Sequence, residues 1–151
     1  TNMSGIFAKA INFNQALNDW DVSSVTDMHD MFRFATNFNQ ALNSWNVSNV
    51  TRMSVMFSGA EKFNQAINNW NVSNVTDMSQ MFSDAIAFET KFNDGNSLPE
   101  ETNELKQWLK ENRDSDRMIA IDIKEREKDN LDSFYNNLES LYNNLDNKNL
   151  E

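Results

Sequence analysis

A 25-residue period governs the first 95 residues of this chain and limits what it can fold into. Trp20, Trp45 and Trp70 are 25 positions apart, and the same step relates the valine, threonine, methionine, phenylalanine and alanine residues that follow each tryptophan. A unit of this length cannot bury its own apolar face, so neighbouring units must stack and share one core. The sequence therefore predicts an α/β repeat solenoid built from short strands and short helices and closed by a C-terminal helical cap.

A change in charge density marks the end of the repeats. Charged side chains make up 14 of the first 95 residues and 22 of the remaining 56. We therefore expect a charged, mainly helical segment over 96–151 that serves as a cap or as a docking segment. The predicted solenoid spans 1–95, with a partial repeat over 1–19 and full repeats over 20–44, 45–69 and 70–94. Because the chain starts inside a repeat, we also expect the parent protein to be longer.

Two local patterns occur within each repeat. One apolar stripe has the i, i+3, i+4, i+7 spacing of a short amphipathic helix, with Thr26 in the N-cap position. Alternating apolar and polar residues over 38–42 and 45–47 favour short strands. The helical stripe consists of Met28, Met31, Phe32 and Ala35.

The C-terminal segment carries helix signals of its own. Residues 97–100 (Ser-Leu-Pro-Glu) have the pattern of a capping box, which predicts a helix that runs to about Asn112. We expect Leu105 and Trp108 on this helix to cover the end of the third repeat, because a stack of repeats needs a cap with one apolar face. Three alternating isoleucines then permit either a short edge strand or the start of a helix; they are Ile119, Ile121 and Ile123.

A heptad-like stripe follows. Five large apolar residues repeat at 3-4-3-4 spacing, the pattern of a coiled-coil seam, over a length of little more than two heptads. Two interpretations stay open. The helix is either a cap packed on the repeats or a docking helix for a second chain, and that second chain can be another copy of this one. The stripe consists of Leu131, Phe134, Leu138, Leu141 and Leu145.

Composition and residue types exclude several functions. The net charge of −10 repels nucleic acid, no cysteine is available for catalysis or zinc, and no apolar run is long enough to span a membrane. His29 is the single histidine, and no nucleophile or orienting group is evident around it, so an exposed, non-catalytic role is expected. Four aspartates could gather around Ca²⁺ but lack any calcium-loop spacing; they are Asp19, Asp21, Asp27 and Asp30. We therefore expect no enzyme, no cofactor and no metal.

The positions that differ between repeats are the candidate interaction face. A scaffold that keeps its core and varies one surface is a common way to present a protein-binding site, although unconstrained solvent positions would vary too. Phe34 beside Arg33 is the strongest anchor candidate. The predicted face comprises Asp27, Asp30, Arg33, Phe34, Arg52, Val55, Lys62, Asp77, Gln80 and Asp84.

The repeat unit W-[DN]-V-S-[SN]-V-T-x-M-x-x-M-F-x-x-A-x-x-F-N-Q-A, complete over residues 45–66, resembles the BspA-like bacterial surface-protein repeat of mycoplasma surface lipoproteins. The resemblance covers about residues 1–92. It implies a leucine-rich-repeat-like fold, a location on the outside of the cell, and a role in adhesion or host interaction, with no catalytic residues. The expected function is thus a non-catalytic protein-interaction module of a bacterial surface protein; the alternative is a structural spacer or self-assembly unit.

Overall fold

The computed structural model describes residues 1–148 and contains three helices in that range. They are α1 (Ile86–Phe92), α2 (Thr102–Asp114) and α3 (Arg117–Lys148). The chain divides into two compact units, Thr1–Ile119 and Ala120–Glu151. The first unit contains the repeats together with α1 and α2. Of the predicted segment 96–151, residues 149–151 lie outside the described part of the chain.

The predicted α/β repeat solenoid is wrong. Within residues 1–148 the structure contains no sheet, and the only β pairings are isolated bridges between successive repeats. Every helix in that range begins after residue 85. The helix predicted to start after Thr26 is absent, and so are the strands predicted over 38–42 and 45–47. Each repeat before α1 consists of consecutive turns joined by irregular backbone.

Left-handed backbone explains why the apolar stripe of a repeat does not form a helix. Asp30 has a φ of 60° and Phe34 a φ of 55°, so the chain leaves the helical region of the Ramachandran plot twice in five residues. Each lies third in a turn closed by an i to i+3 hydrogen bond, from Met31 N–H to Met28 O in the first case. The spacing of 3 and 4 that suggests a helix is thus produced by successive tight turns.

The remaining backbone hydrogen bonds join one repeat to the next. The N–H groups of Met28, Asp30, Phe32 and Phe34, at every second residue, donate to carbonyl oxygens 24 residues further on, at 2.8–3.2 Å. The residues between them supply the local turn bonds. This alternation satisfies the backbone groups of a buried segment without a regular helix or strand.

The core consists of aromatic columns whose members are 25 residues apart. Ring centroids of Phe32 and Phe57 are 5.4 Å apart, those of Phe57 and Phe82 are 5.7 Å apart, and the planes are within 6° of parallel. Trp45 and Trp70 stack at 6.5 Å, whereas Trp20 is 41% exposed. The methionine and phenylalanine positions shared by the three full repeats are buried. Burial of these apolar side chains is the main stabilising contribution.

The segment after α1 completes the last repeat. Gln80 N–H donates to Glu100 O at 2.8 Å, and Met78 N–H donates to Thr102 Oγ1 at 2.9 Å. In the earlier repeats the equivalent N–H groups bind the following repeat. Leu105 on α2 is fully buried, and the Trp108 ring lies 6.4 Å from that of Phe88.

The helix boundaries differ from those predicted. Helix α2 begins at Thr102 instead of within residues 97–100, and its N-cap residue Glu101 makes no side-chain capping hydrogen bond. Residues 97–100 are not helical, and the carbonyl of Glu100 accepts the Gln80 N–H of the last repeat. The strand alternative for the isoleucines is wrong: Ile119, Ile121 and Ile123 all lie in α3. The five heptad residues also lie in α3, and each is about half exposed.

Candidate interaction face

Three of the predicted face residues form a column of alternating charge. Asp27, Arg52 and Asp77 are joined by parallel bridges, which place their side chains next to one another across three repeats. Arg52 Nη1 lies 3.0 Å from Asp27 Oδ2. The hydrogen bond from the Ser79 hydroxyl lowers the pKa of the Asp77 carboxyl, and the nearby charge of Arg52 lowers it further. Because half of the Arg52 side chain is exposed, this ion pair contributes at most about 1 kcal/mol to stability.

Phe34 and Arg33 form a second cluster with Asp30. The Arg33 guanidinium carbon lies 5.1 Å from the centre of the Phe34 ring, a cation–π contact, and Arg33 Nη1 lies 3.4 Å from Asp30 Oδ1. Phe34 is 42% exposed. Arg33 Nε is buried and has no hydrogen-bond partner within the described residues. The cluster therefore presents an aromatic ring and a cation whose hydrogen-bonding capacity is only partly used.

Gly59 supports the Phe34 ring from the next repeat. A Cβ atom built on Gly59 would lie 2.3 Å from Cδ1 of Phe34, so the ring packs directly against the glycine backbone. The two residues are 25 apart and occupy equivalent positions in successive repeats. Gly59 also has a φ of 69°, which a residue without Cβ adopts at no steric cost.

We expect Gly59→Ala to destabilise the chain by about 1–3 kcal/mol more than Gly5→Ala, because only the former adds a steric clash. Gly5 is a matched control: its φ is 66°, and a Cβ there would have no atom within 4 Å. The measurement is urea unfolding followed by tryptophan fluorescence. Equal losses for the two variants would mean that the Phe34 ring does not rest on Gly59.

The other four predicted residues are dispersed over the face. Val55, Gln80 and Asp84 have φ values of 52°, 54° and 58°, so all three lie at left-handed turn positions. For a β-branched residue such as Val55 this conformation is strained. Lys62 is exposed, and its N–H donates to Thr36 O. Among residues 1–148, no side-chain hydrogen bond or ion pair joins these four to either cluster.

Sequence reasoning missed the groups around His29. Its Nδ1 lies 2.8 Å from Ser54 Oγ and 3.1 Å from Ser54 O, and its Nε2 lies 3.2 Å from Asp30 Oδ2. Ser54 stands 25 residues after His29, so the repeat period could have revealed this neighbour. Both ring nitrogens thus lie beside oxygen atoms able to accept a hydrogen bond, and the Ser54 residue is buried.

The four aspartates considered for calcium do not form a site. Among residues 1–148 the structure contains no group of three or more histidine, cysteine or acidic side chains able to hold a metal ion. Asp21 is bound instead to its neighbour Ser23, through Oδ1 at 2.6 Å from the hydroxyl. That hydrogen bond lowers the pKa of the Asp21 carboxyl.

A shared core with side chains that differ on the outside places the chain among proteins built from tandem sequence repeats. The chain belongs to the family described as "Mycoplasma protein of unknown function, DUF285", whose model matches residues 1–119. The match extends beyond residue 92, where the resemblance was expected to end, and coincides with the first compact unit. The predicted relation to mycoplasma proteins is confirmed, whereas the finer resemblance to BspA-like repeats stays a prediction.

No curated protein and no solved structure matched the chain. Nor does any helix in residues 1–148 have the length and apolar character needed to cross a bilayer.

Proposed function

We propose that this chain is a non-catalytic protein-interaction module of a Mycoplasma surface protein. It binds its partner through the variable face, defined as the ten residues of the predicted interaction face. The observation that carries the proposal is the cluster of Phe34, Arg33 and Asp30. Phe34 is an exposed aromatic ring on a surface where the equivalent residues of the other repeats are Lys9, Gly59 and Asp84. Aromatic and arginine side chains are the usual anchors of protein interfaces.

The packing of the cluster supports an anchoring role. The Phe34 ring is held between Gly59 and the Arg33 guanidinium, so little side-chain entropy is lost when a partner covers it. The Arg33 side chain is 44% exposed, so its guanidinium can also donate to a partner's carbonyl or carboxylate. The surface location and adhesive role rest on the resemblance of the repeat unit to bacterial surface-protein repeats.

The proposal is tested by binding of the fluorescently labelled 151-residue chain to intact cultured epithelial cells. We expect Arg33→Gln with Phe34→Ala to reduce cell-bound fluorescence about tenfold or more, as the loss of an interface anchor does. The melting temperature should stay within a few degrees of the parent value. Absence of saturable binding by the parent chain would contradict the proposal, and so would equal binding by the double variant.

A second candidate function, self-assembly through α3, is favoured by the exposed apolar stripe of that helix. The heptad stripe runs from Leu131 to Leu145, and its five residues are 46–61% exposed. The acidic residues within this stretch, Asp132 and Glu139, lie one position after a seam residue and away from the facing helix, so two copies would not repel there.

The matched variant Lys128→Gln with Phe134→Ala separates the two candidates. It removes one cation and one phenylalanine, as the first double variant does, but on α3. If the chain self-assembles through this helix, light scattering should show a smaller mass for the variant than for the parent, with cell binding through the face retained. A parent chain that is monomeric at about 100 μM, well above common Kd values for stable dimers, would contradict self-assembly.

A further inference from the structure

A cavity of about 300 Å³ lies between the last tryptophan of the repeats and α2, and none of its lining residues belongs to the variable face. Its volume is at the lower end of the range for ligand sites, so it fits one large side chain or a small molecule. The apolar part of its wall includes Ile67, Trp70, Val72, Leu109 and Met118. All its lining residues belong to the first compact unit.

The cavity adjoins the end of the tryptophan column. Trp45 covers Trp70 from one side with its ring plane only 3° from parallel, and none of residues 42–47 lines the cavity, which therefore lies on the other side. In the two preceding repeats the valine two positions after tryptophan is buried; Val72, the third, is partly exposed. In the earlier repeats, the tryptophan and valine of the following repeat cover the equivalent surfaces. Within residues 1–148 no further repeat covers Trp70 and Val72, and these surfaces form the cavity wall.

A backbone acceptor adds a hydrogen-bonding requirement. Leu17 O accepts from Trp20 N–H and from the Trp45 indole, at 3.0 and 2.9 Å; Leu42 O accepts in the same way from the next two tryptophans. Ile67 O accepts only from Trp70 N–H among the described residues. A lone pair that binds an indole N–H in the earlier repeats is therefore available at Ile67, which lines the cavity.

Three cations on α2 give the cavity its charge. Lys106, Lys110 and Arg113 lie at i, i+4 and i+7, on one face of the helix, and the lining contains no acidic side chain. Lys106 Nζ binds Val75 O at 2.8 Å and Ser73 O at 3.3 Å. Lys110 and Arg113 both contact Asp114, at 2.7 and 3.4 Å. One carboxylate thus faces two of three cations, which leaves an excess of positive charge at the rim.

We propose that this cavity binds a tryptophan side chain presented by an acidic peptide segment of a partner protein. The ring occupies the apolar wall next to Trp70, the indole N–H donates to Ile67 O, and the acidic groups of the segment contact Lys110 and Arg113. This site is separate from the variable face, and its test does not depend on adhesion.

The test is isothermal titration calorimetry of the full chain with the peptide N-acetyl-Asp-Trp-Asp-amide. We expect saturable binding with a Kd of about 1 mM or tighter in dilute salt. Asp-Phe-Asp, which lacks the N–H donor, should bind about 3- to 10-fold more weakly, the loss expected for one hydrogen bond. Asn-Trp-Asn should also bind more weakly, and only the acidic peptides should lose affinity as salt is raised.

Protein variants locate the site. Lys110→Gln with Arg113→Gln should weaken Asp-Trp-Asp binding about tenfold, whereas Lys124→Gln with Lys128→Gln removes the same charge from α3 and should leave it unchanged. Leu109→Trp should fill the cavity and abolish binding. No binding by the parent chain, equal loss in the two charge variants, or full binding by a folded Leu109→Trp variant would each overturn the proposal.

Discussion

Phe57→Ala is expected to lower the free energy of unfolding by about 3–5 kcal/mol, the range found when a buried phenylalanine is truncated in a core that cannot collapse around it. Phe57 is fully buried at the centre of the aromatic columns. Its ring lies 5.4 Å from Phe32, 4.1 Å from Phe63 and 5.7 Å from Phe82. The surrounding backbone is fixed by hydrogen bonds to both neighbouring repeats, so it has little freedom to fill the cavity.

The measurement is urea unfolding followed by tryptophan fluorescence, to which Trp45 and Trp70 of the same core contribute. Phe134→Ala is the matched control: the same atoms are removed from a ring that is 56% exposed on α3. For this control we expect a change within about 0.5 kcal/mol. A loss below about 1 kcal/mol for Phe57→Ala would contradict a continuous aromatic core.

The period of 25 predicts the core well because it depends only on which residues become neighbours. Stacking of repeats requires that equivalent apolar residues meet, and Phe32, Phe57 and Phe82 do so. The local conformation is another matter. A spacing of 3 and 4 fits both a helix and successive turns, and the left-handed φ values of Asp30 and Phe34 decide for turns. Neither residue is a glycine, but the equivalent positions of other repeats hold Gly5 and Gly59, with φ values of 66° and 69°. The period therefore carried a signal for the turns that the helical spacing obscured.

The same distinction applies to the candidate face. The face was predicted by comparing the residues that different repeats carry at one position. In the structure those equivalent residues are also direct neighbours along a column. Asp27 therefore pairs with Arg52, and His29 with Ser54, each 25 residues apart. A search for complementary polar side chains 25 residues apart would have found these contacts in the sequence. The cavity beside Trp70 had no such signal, because α2 approaches it from a part of the chain that does not repeat.

Leu105→Ala is the second substitution with a large expected effect, a loss of about 2–5 kcal/mol. Leu105 is fully buried, and it lies on α2 one turn after Thr102, which accepts the Met78 N–H. Removal of its side chain weakens the packing that holds α2 and residues 97–102 against the last repeat. Those residues supply the acceptors that a following repeat would supply elsewhere, so their loss exposes backbone donors as well as apolar surface.

Hydrogen exchange distinguishes this mechanism from a general loss of packing. If α2 completes the last repeat, the amides of Met78 and Gln80 should exchange faster in Leu105→Ala, while those of Met28 and Phe32, two repeats away, keep more of their protection. The control on the same helix is Glu104→Ala, an exposed position where a change within about 0.5 kcal/mol is expected. Equal loss of protection in the repeat over 20–44 and in the last repeat would instead mean that the repeats and α2 unfold as one cooperative unit. In that case the stability supplied by α2 is shared by every repeat.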